Sequence, residues 1–520
     1  MPRASIRSDV VSVLNIVAPT AAGNFLEYFP VCIGMALVGH GRDARSALEL
    51  DVVALARAYF CMVAMAPGFG LITALRTLCP QAVGAGQPRL CAVYLQRAIL
   101  FVILGSAAIL PLLLSAGRVL RALGQQEEII VLAEPYIMRM ALTYYGCVGM
   151  SAIQRVYQAH GWNWANFAIV CIVCLCAPGV QVLLIRKCGL GYLGAAWASA
   201  AYNFLPLLLQ IPHLVWKGHG YLFVPRRQTL SRRGLAEYLR LMLPGFVMCC
   251  VEWWVLEVVV LLSGRLHDAR LTVGAFTISS QVQALALMAW IGLAVAASSL
   301  VGQRIGAGDT AGARQAACVC VVVGIAMAAV VGGATALGAD PIARAFTPSA
   351  DIEALTRKLL PLIAGVMILD ATSNALGGVC SGLGLQRVAA LAQLAGYYLL
   401  GVPFALVLAF YVYRASSVGV FFLWGGVALA MLAAAAVQLI ALCRHDWSRS
   451  AREASARLAR GAQETVDASG VGAAADVTDG VQDCTRVRDA NHRIDVGSVN
   501  TRREPLLPQD GMRSGDTDTR

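Results

Sequence analysis

Pro80-Gln81-Ala82-Val83-Gly84-Ala85-Gly86 recurs 222 residues later as Gly302-Gln303-Arg304-Ile305-Gly306-Ala307-Gly308, each copy following one apolar stretch and preceding another. Working outward, Gly161 and Gly384 stand 223 residues apart, each before a hydrophobic segment, and Gly194 and Gly419 stand 225 apart. Three pairs in nearly one register make the chain two copies of one half. In a membrane protein, paired halves point to a transporter whose site lies between them.

The 520 residues are 58% hydrophobic and 14% charged, with a mean hydropathy of +0.67. Soluble domains carry about 25% charged residues. Apolar stretches occur near 10–38, 53–75, 92–116, 129–151, 165–186, 190–215, 240–263, 273–300, 315–338, 356–380, 388–412 and 417–443. Each has about the 20 residues needed to cross a hydrocarbon core of roughly 30 Å. Backbone groups in lipid need internal partners, so these stretches are expected to be helices. The expectation is an all-α polytopic membrane protein with about twelve transmembrane helices in two pseudo-symmetric six-helix lobes. The lobes are placed at 10–215 and 240–443, with a cytosolic N-terminus at 1–9, a basic linker at 216–239 and a tail at 444–520.

Charge sets the orientation. Lys217, Arg226, Arg227, Arg232, Arg233 and Arg240 crowd the connection after the sixth stretch, and Arg76, Arg89, Arg304, Arg314 and Arg387 follow other even-numbered ones. The loop after the first stretch instead mixes Arg42 and Arg45 with Asp43, Glu49 and Asp51. The positive-inside bias places both termini in the cytosol. The basic run is read as topology and contact with anionic lipid rather than nucleic-acid binding. The sixteen cysteines sit largely inside spans, such as Cys171, Cys174 and Cys176, and read as small packing residues rather than a disulfide or metal set. The first stretch is too long for a cleaved signal peptide. Beyond Arg444 a short helix is expected over Trp447 to Leu458, then disorder, with Arg503-Glu504-Pro505-Leu506-Leu507 resembling a dileucine sorting signal.

Glu27, Glu252, Glu257 and Asp370 fall inside spans. An acid near a helix centre costs about 2.5–3.5 kcal/mol to insert, so each needs a reason. Glu252 and Glu257 lie about 140° apart on a straight helix, which assigns one to a central space and the other to a neighbouring helix. Asp370 and Asn374 share a face at i and i+4 and are expected to hydrogen-bond. Arg139 and Arg155 are candidate structural partners for these acids. Withdrawal from water lets a carboxyl keep a proton near neutrality, and proton and cation then compete for one group. Trp253, Trp254, Trp290, Tyr397 and Tyr398 are candidates for an aromatic wall suited to flat cations, or for packing and interface anchoring.

These residues carry a family resemblance. Leu243-Pro244-Gly245 leading into Glu252-Trp253-Trp254-Val255-Leu256-Glu257 resembles the seventh-helix signature of the eukaryotic multidrug and toxic compound extrusion (MATE) family. So do Thr77-Leu78-Cys79-Pro80-Gln81-Ala82-Val83-Gly84-Ala85-Gly86 with Tyr94-Leu95-Gln96-Arg97, the run Val295 to Ser298 with Val301, Gly302 and Gly306 to Gly308, and Gly396-Tyr397-Tyr398 with Gly401 and Pro403. The resemblance covers residues 10 to about 443. It implies a twelve-helix, two-lobed exporter exchanging organic cations or related metabolites for protons. Glu252 and Glu257 match the family's paired seventh-helix acids, and Asp370 its tenth-helix acid. Three positions depart. Gln281 stands where vertebrate members carry a glutamate, Arg76 replaces an aspartate, and Glu27 stands where a glutamine is common.

The expected function is therefore secondary antiport of organic cations, drugs or metabolites against protons by alternating access, with Glu252, Glu257, Asp370 and Glu27 as proton or cation sites. Asn24, Trp253, Trp254, Gln281, Asn374, Tyr397 and Tyr398 are expected to line or support the path. Sodium coupling stays open, with oxygen ligands from Asn24 and Glu27 or from Asp370 and Asn374; so does a lipid or saccharide flippase. No phosphate-binding loop, metal-spaced histidine cluster or nucleophile elbow suggests an enzyme. No cofactor or metal is expected, and the protein is read as a monomer in the plasma membrane or a vacuolar or lysosomal membrane.

Overall fold

The computed structural model describes residues 5–39, 44–263, 265–266, 268–412 and 418–469. The dileucine-like stretch, Arg42 and Asp43 lie outside the described residues. The first half comprises α1 (Ile6–Gly39), α2 (Leu48–Gly84), α3 (Leu90–Leu114), α4 (Glu127–Ala159), α5 (Asn163–Lys187) and α6 (Gly191–Leu214). The second comprises α7 (Arg232–Ser263), α8 (Ala269–Gly306), α9 (Thr310–Leu337), α10 (Ala350–Leu383), α11 (Gln386–Val412) and α12 (Gly419–Arg444). Ten of the twelve are long and apolar enough to cross a membrane. α4, with Glu134, Arg139 and Arg155 along it, and α6 complete the two sets.

The repeat extends into details that hydropathy does not reveal. A short helix precedes the fourth helix of each half, Ala116–Ala122 in one and Ala339–Phe346 in the other. Widened π-helical turns close the fifth helices, Leu183–Lys187 and Val407–Val412. The halves also meet reciprocally: α1 packs on α8, and α7 packs on α2.

The two quoted motifs meet at this junction, and the structure explains why both glycines recur. A methyl group on Gly84 would overlap the backbone carbonyl of Gln303, and one on Gly306 would overlap that of Gln81. The motif's last glycine, Gly86 or Gly308, takes a left-handed φ of 73° or 78° that ends the helix. The glutamines then cross between halves. Gln81 Nε2 donates to the Gly382 carbonyl at 2.9 Å, and Gln303 Nε2 donates to that of Ala159 at 2.8 Å. Thr77 Oγ1 donates to the Ser381 carbonyl and accepts from Gln386 Nε2. Together these contacts seal the Arg-rich end of the bundle.

Two chain-end features differ from the sequence reading. α1 begins at Ile6, so Asp9 belongs to the helix rather than to a polar N-terminal segment. It is buried and pairs with Arg304 and Gln315. The C-terminal helix, α13 (Trp447–Ser469), runs well past Leu458. Its buried stripe of Trp447, Ser450, Ala451, Ala454 and Leu458 follows helical spacing. The helix straps the sealed end. Arg457 Nη2 donates to Gln81 Oε1 at 2.9 Å, Arg460 pairs with Glu237, and Glu464 accepts from Arg97 and Ser231. Arg457→Ala leaves the Gln81 oxygen without this donor, at a cost of about 1–2 kcal/mol. We expect a lowered melting temperature in detergent; an unchanged melt would remove the strap from the forces closing this end.

Candidate transport site

The site is built where α2 and α7 touch. Thr73 Oγ1 donates to the Gly70 carbonyl at 2.7 Å and lies 3.3 Å from that of Met242 across the junction. Only a hydrogen fits at Gly245 against Thr73, or at Gly70 against Phe246. This close approach brings the α7 acid Glu252 within electrostatic reach of Arg76 on α2.

Asp370 lies deeper in the second half and is 4% exposed. Its two carboxylate oxygens accept from Gln283 Nε2 at 2.7 Å and from Asn374 Nδ2 at 2.9 Å, so the i, i+4 pair forms as read. Glu252 is within electrostatic reach of Asp370, and Tyr397, buried, is within reach of both acids. Glu27 crosses the first half to accept from Gln154 Nε2 at 2.7 Å. Arg155, the next residue on α4, lies within reach of Glu27 and Arg76 and donates to Gln158 Oε1 at 2.9 Å. Glu27, Arg76, Arg155 and Glu252 are all partly water-accessible inside the bundle. Facing lipid would be costly for such groups, so they mark a wetted space between the halves.

The remaining predicted residues scatter. Asn24 Nδ2 donates to the Met288 carbonyl at 3.3 Å, Tyr28 donates to Gln281 Oε1 at 3.1 Å, and Trp254 Nε1 donates to the Met62 carbonyl at 3.1 Å. These bonds cross between the halves. Trp253 packs on Phe69 with ring centroids 5.9 Å apart. Glu257 lies within electrostatic reach of Cys61 on α2, apart from the Asp370 group. The aromatic residues do not form one wall. Trp290 is fully buried in the core of the second half, and Tyr398 is 39% exposed on the other side of α11 from buried Tyr397.

Arg139 is not a partner of the span acids; its guanidinium donates to the Pro135 carbonyl of its own helix. The fifteen described cysteines are free, and no metal-binding group is present among the described residues. Three polar residues were missed from sequence: Gln154, Gln283 and Gln158. Their signal was a polar side chain inside a span, the same signal that drew attention to the acids.

The MatE family model matches residues 19–183 and 244–407, one match in each half and together more than half of the chain. Mouse (Mus musculus) multidrug and toxin extrusion protein 2 is 28% identical over 458 residues, covering 87% of this chain and 77% of the relative. Protein DETOXIFICATION 16 of Arabidopsis thaliana is 26% identical over 460 residues, covering 88% and 92%. The crystal structure of the eukaryotic MATE transporter AtDTX14 superposes with a TM-score of 0.80 at 26% identity, over 87% of this chain and 99% of that one. The twelve-helix, two-lobed layout agrees with that superposition. The chain belongs to the MatE family and is a multi-pass membrane transporter of the multidrug and toxin extrusion kind, not an enzyme.

Proposed function

We propose that this protein exports organic solutes bearing a cationic group in exchange for protons, by alternating access. Glu252 and Asp370 carry the exchange. The observation behind this reading is the shared acid cluster of the second half, with Glu252 on the wetted path and Asp370 behind it. A proton and a solute cation compete for Glu252, and each favours one arrangement of the halves by its differential affinity. Glu27 and Glu257 are secondary cation sites, and Trp253, Trp254 and Tyr397 supply apolar and π surface.

Protons are favoured over sodium by the Asp370 contacts. Both of its oxygens are engaged by amide N–H donors, where a sodium site needs several oxygen ligands converging on the ion. The Arg-rich sealed end faces the cytosol by the positive-inside bias, placing both termini there. Export then runs to the outside of the plasma membrane or into an acidic vacuolar or lysosomal lumen, and the protein works as a monomer.

The test is uptake of a fluorescent organic cation into proteoliposomes under an imposed pH gradient. Uptake that follows the gradient and collapses with a protonophore is expected. Uptake that follows only a sodium gradient would overturn the coupling assignment and leave the fold intact.

A further inference from the structure

Arg76 and Arg155 are costly residues, and the Arg155 bond to Gln158 leaves most of their guanidinium donors without a hydrogen-bond partner among the described residues. Both stand at the sealed end of the wetted space. Arg76 immediately precedes Thr77, and Arg155 is one turn before Ala159, whose carbonyls and hydroxyls close the junction. The guanidinium groups lie within electrostatic reach of each other. Neither has a carboxylate within 4 Å among the described residues. Glu27, the acid within electrostatic reach of Arg155, accepts its hydrogen bond from Gln154 Nε2 instead.

The repeat supplies an internal control. At the repeat offsets of 222 and 223 residues, the second half carries Ser298 and Gly378 in place of Arg76 and Arg155. The same local architecture is therefore built without charge. Two like charges in a confined space repel. Glu252 and Glu27 each lie within electrostatic reach of one of them but form no ion pair within 4 Å among the described residues, so both guanidinium forks keep donors open to an oxyanion. Planar guanidinium forks suit a carboxylate or another oxyanion.

We propose that Arg76 and Arg155 form an anion-binding floor that receives the acidic group of a zwitterionic solute, whose cationic end meets Glu252. This rests on the proton-exchange reading above. A purely anionic solute would bind best when Glu252 is protonated, and proton and solute would then travel together. A zwitterion keeps the competition at Glu252, and so keeps exchange, while satisfying the arginines. The three charges that contact the solute then separate into a cationic floor and an acidic wall.

Rhodamine B and its ethyl ester test this directly, because they share a chromophore and differ in the free carboxylate. Fluorescence anisotropy on the full chain in lipid nanodiscs gives both affinities. We expect rhodamine B to bind at least tenfold more tightly than the ester. Arg76→Gln and Arg155→Gln should each erase that preference, read as the ratio of the two affinities measured in the same variant. Arg76→Lys, which keeps the charge, should retain part of it, separating loss of charge from loss of fold. Equal affinities in the unaltered protein, failure of rhodamine B to bind, or a preference surviving both glutamine variants would each overturn the floor. Gradient-driven uptake of the ester is read in parallel. A carboxylate preference without any pH response would keep the floor and sink the exchange, whereas pH-driven ester uptake without a preference would do the reverse.

Discussion

A single methyl group at Gly84 or at Gly306 should reduce transport by about 100-fold. The overlap at both positions is with backbone, Gln303 in one case and Gln81 in the other, and no rotamer change relieves it. Overpacking a closed interface costs about 1–3 kcal/mol, and 2.8 kcal/mol corresponds to a factor of about 100 in the closed population. Under the proposed alternating access, in which the two motifs separate as the Arg-rich end opens, the cost falls on one arrangement of the halves only. A transporter that must close this end in every cycle is then held open there. Gly84→Ala and Gly306→Ala are the variants, and initial uptake rate in proteoliposomes is the measurement. Gly179→Ala and Gly365→Ala, where a methyl group meets nothing within 4 Å, serve as controls and should transport normally. Normal transport by both junction variants would show that this contact does not need to form.

Most of the architecture was legible because it is written twice. The 222-residue register located both halves, and lipid forces each long apolar run into a helix whatever its local propensities. The same register explains details that apolar counting passed over, such as the short helices before α4 and α10. The site was only partly legible. Individual acids stood out because each is costly in a span, but their partners depend on which helix faces which. Asn374 was found for Asp370 since both lie on one helix, whereas Gln283 reaches it from α8 and Gln154 reaches Glu27 from α4. Arg155 was weighed as a neutralising partner and lies within electrostatic reach of Glu27, without an ion pair inside 4 Å among the described residues. The C-terminal helix was underestimated past Leu458 because its apolar stripe ends there and the extension is held by polar contacts, Glu464 accepting from Arg97 and Ser231; its stripe is otherwise largely alanine and serine. Such residues give little hydropathy signal until they meet a surface.

Glu252→Gln should lower gradient-driven uptake by at least about 100-fold, and Asp370→Asn should lower it by about tenfold or more. Glutamine keeps the shape of Glu252 and removes its ability to exchange a proton for a solute cation, so the variant resembles a permanently proton-loaded carrier. Folding should survive, because Glu252 makes no ion pair within 4 Å among the described residues and sits where water reaches it. A 100-fold loss corresponds to roughly 2.8 kcal/mol of coupling between proton and solute, within the range of allosteric coupling energies of about 1–3 kcal/mol. The smaller effect at Asp370 follows from the proposed arrangement, in which it acts through Glu252, with Gln283 and Asn374 holding its carboxylate in place. Asparagine can still accept one of those amide bonds, but the other must face an N–H group and breaks. The discriminating measurement is solute binding as a function of pH, made beside transport. In the unaltered protein, a cationic solute should be displaced as pH falls through the range where Glu252 takes its proton. In Glu252→Gln that pH dependence should flatten while residual binding persists. A variant that kept both the normal uptake rate and the normal pH dependence would move the proton site away from Glu252. Glu27, which accepts from Gln154 in the first half, would then be the residue to examine.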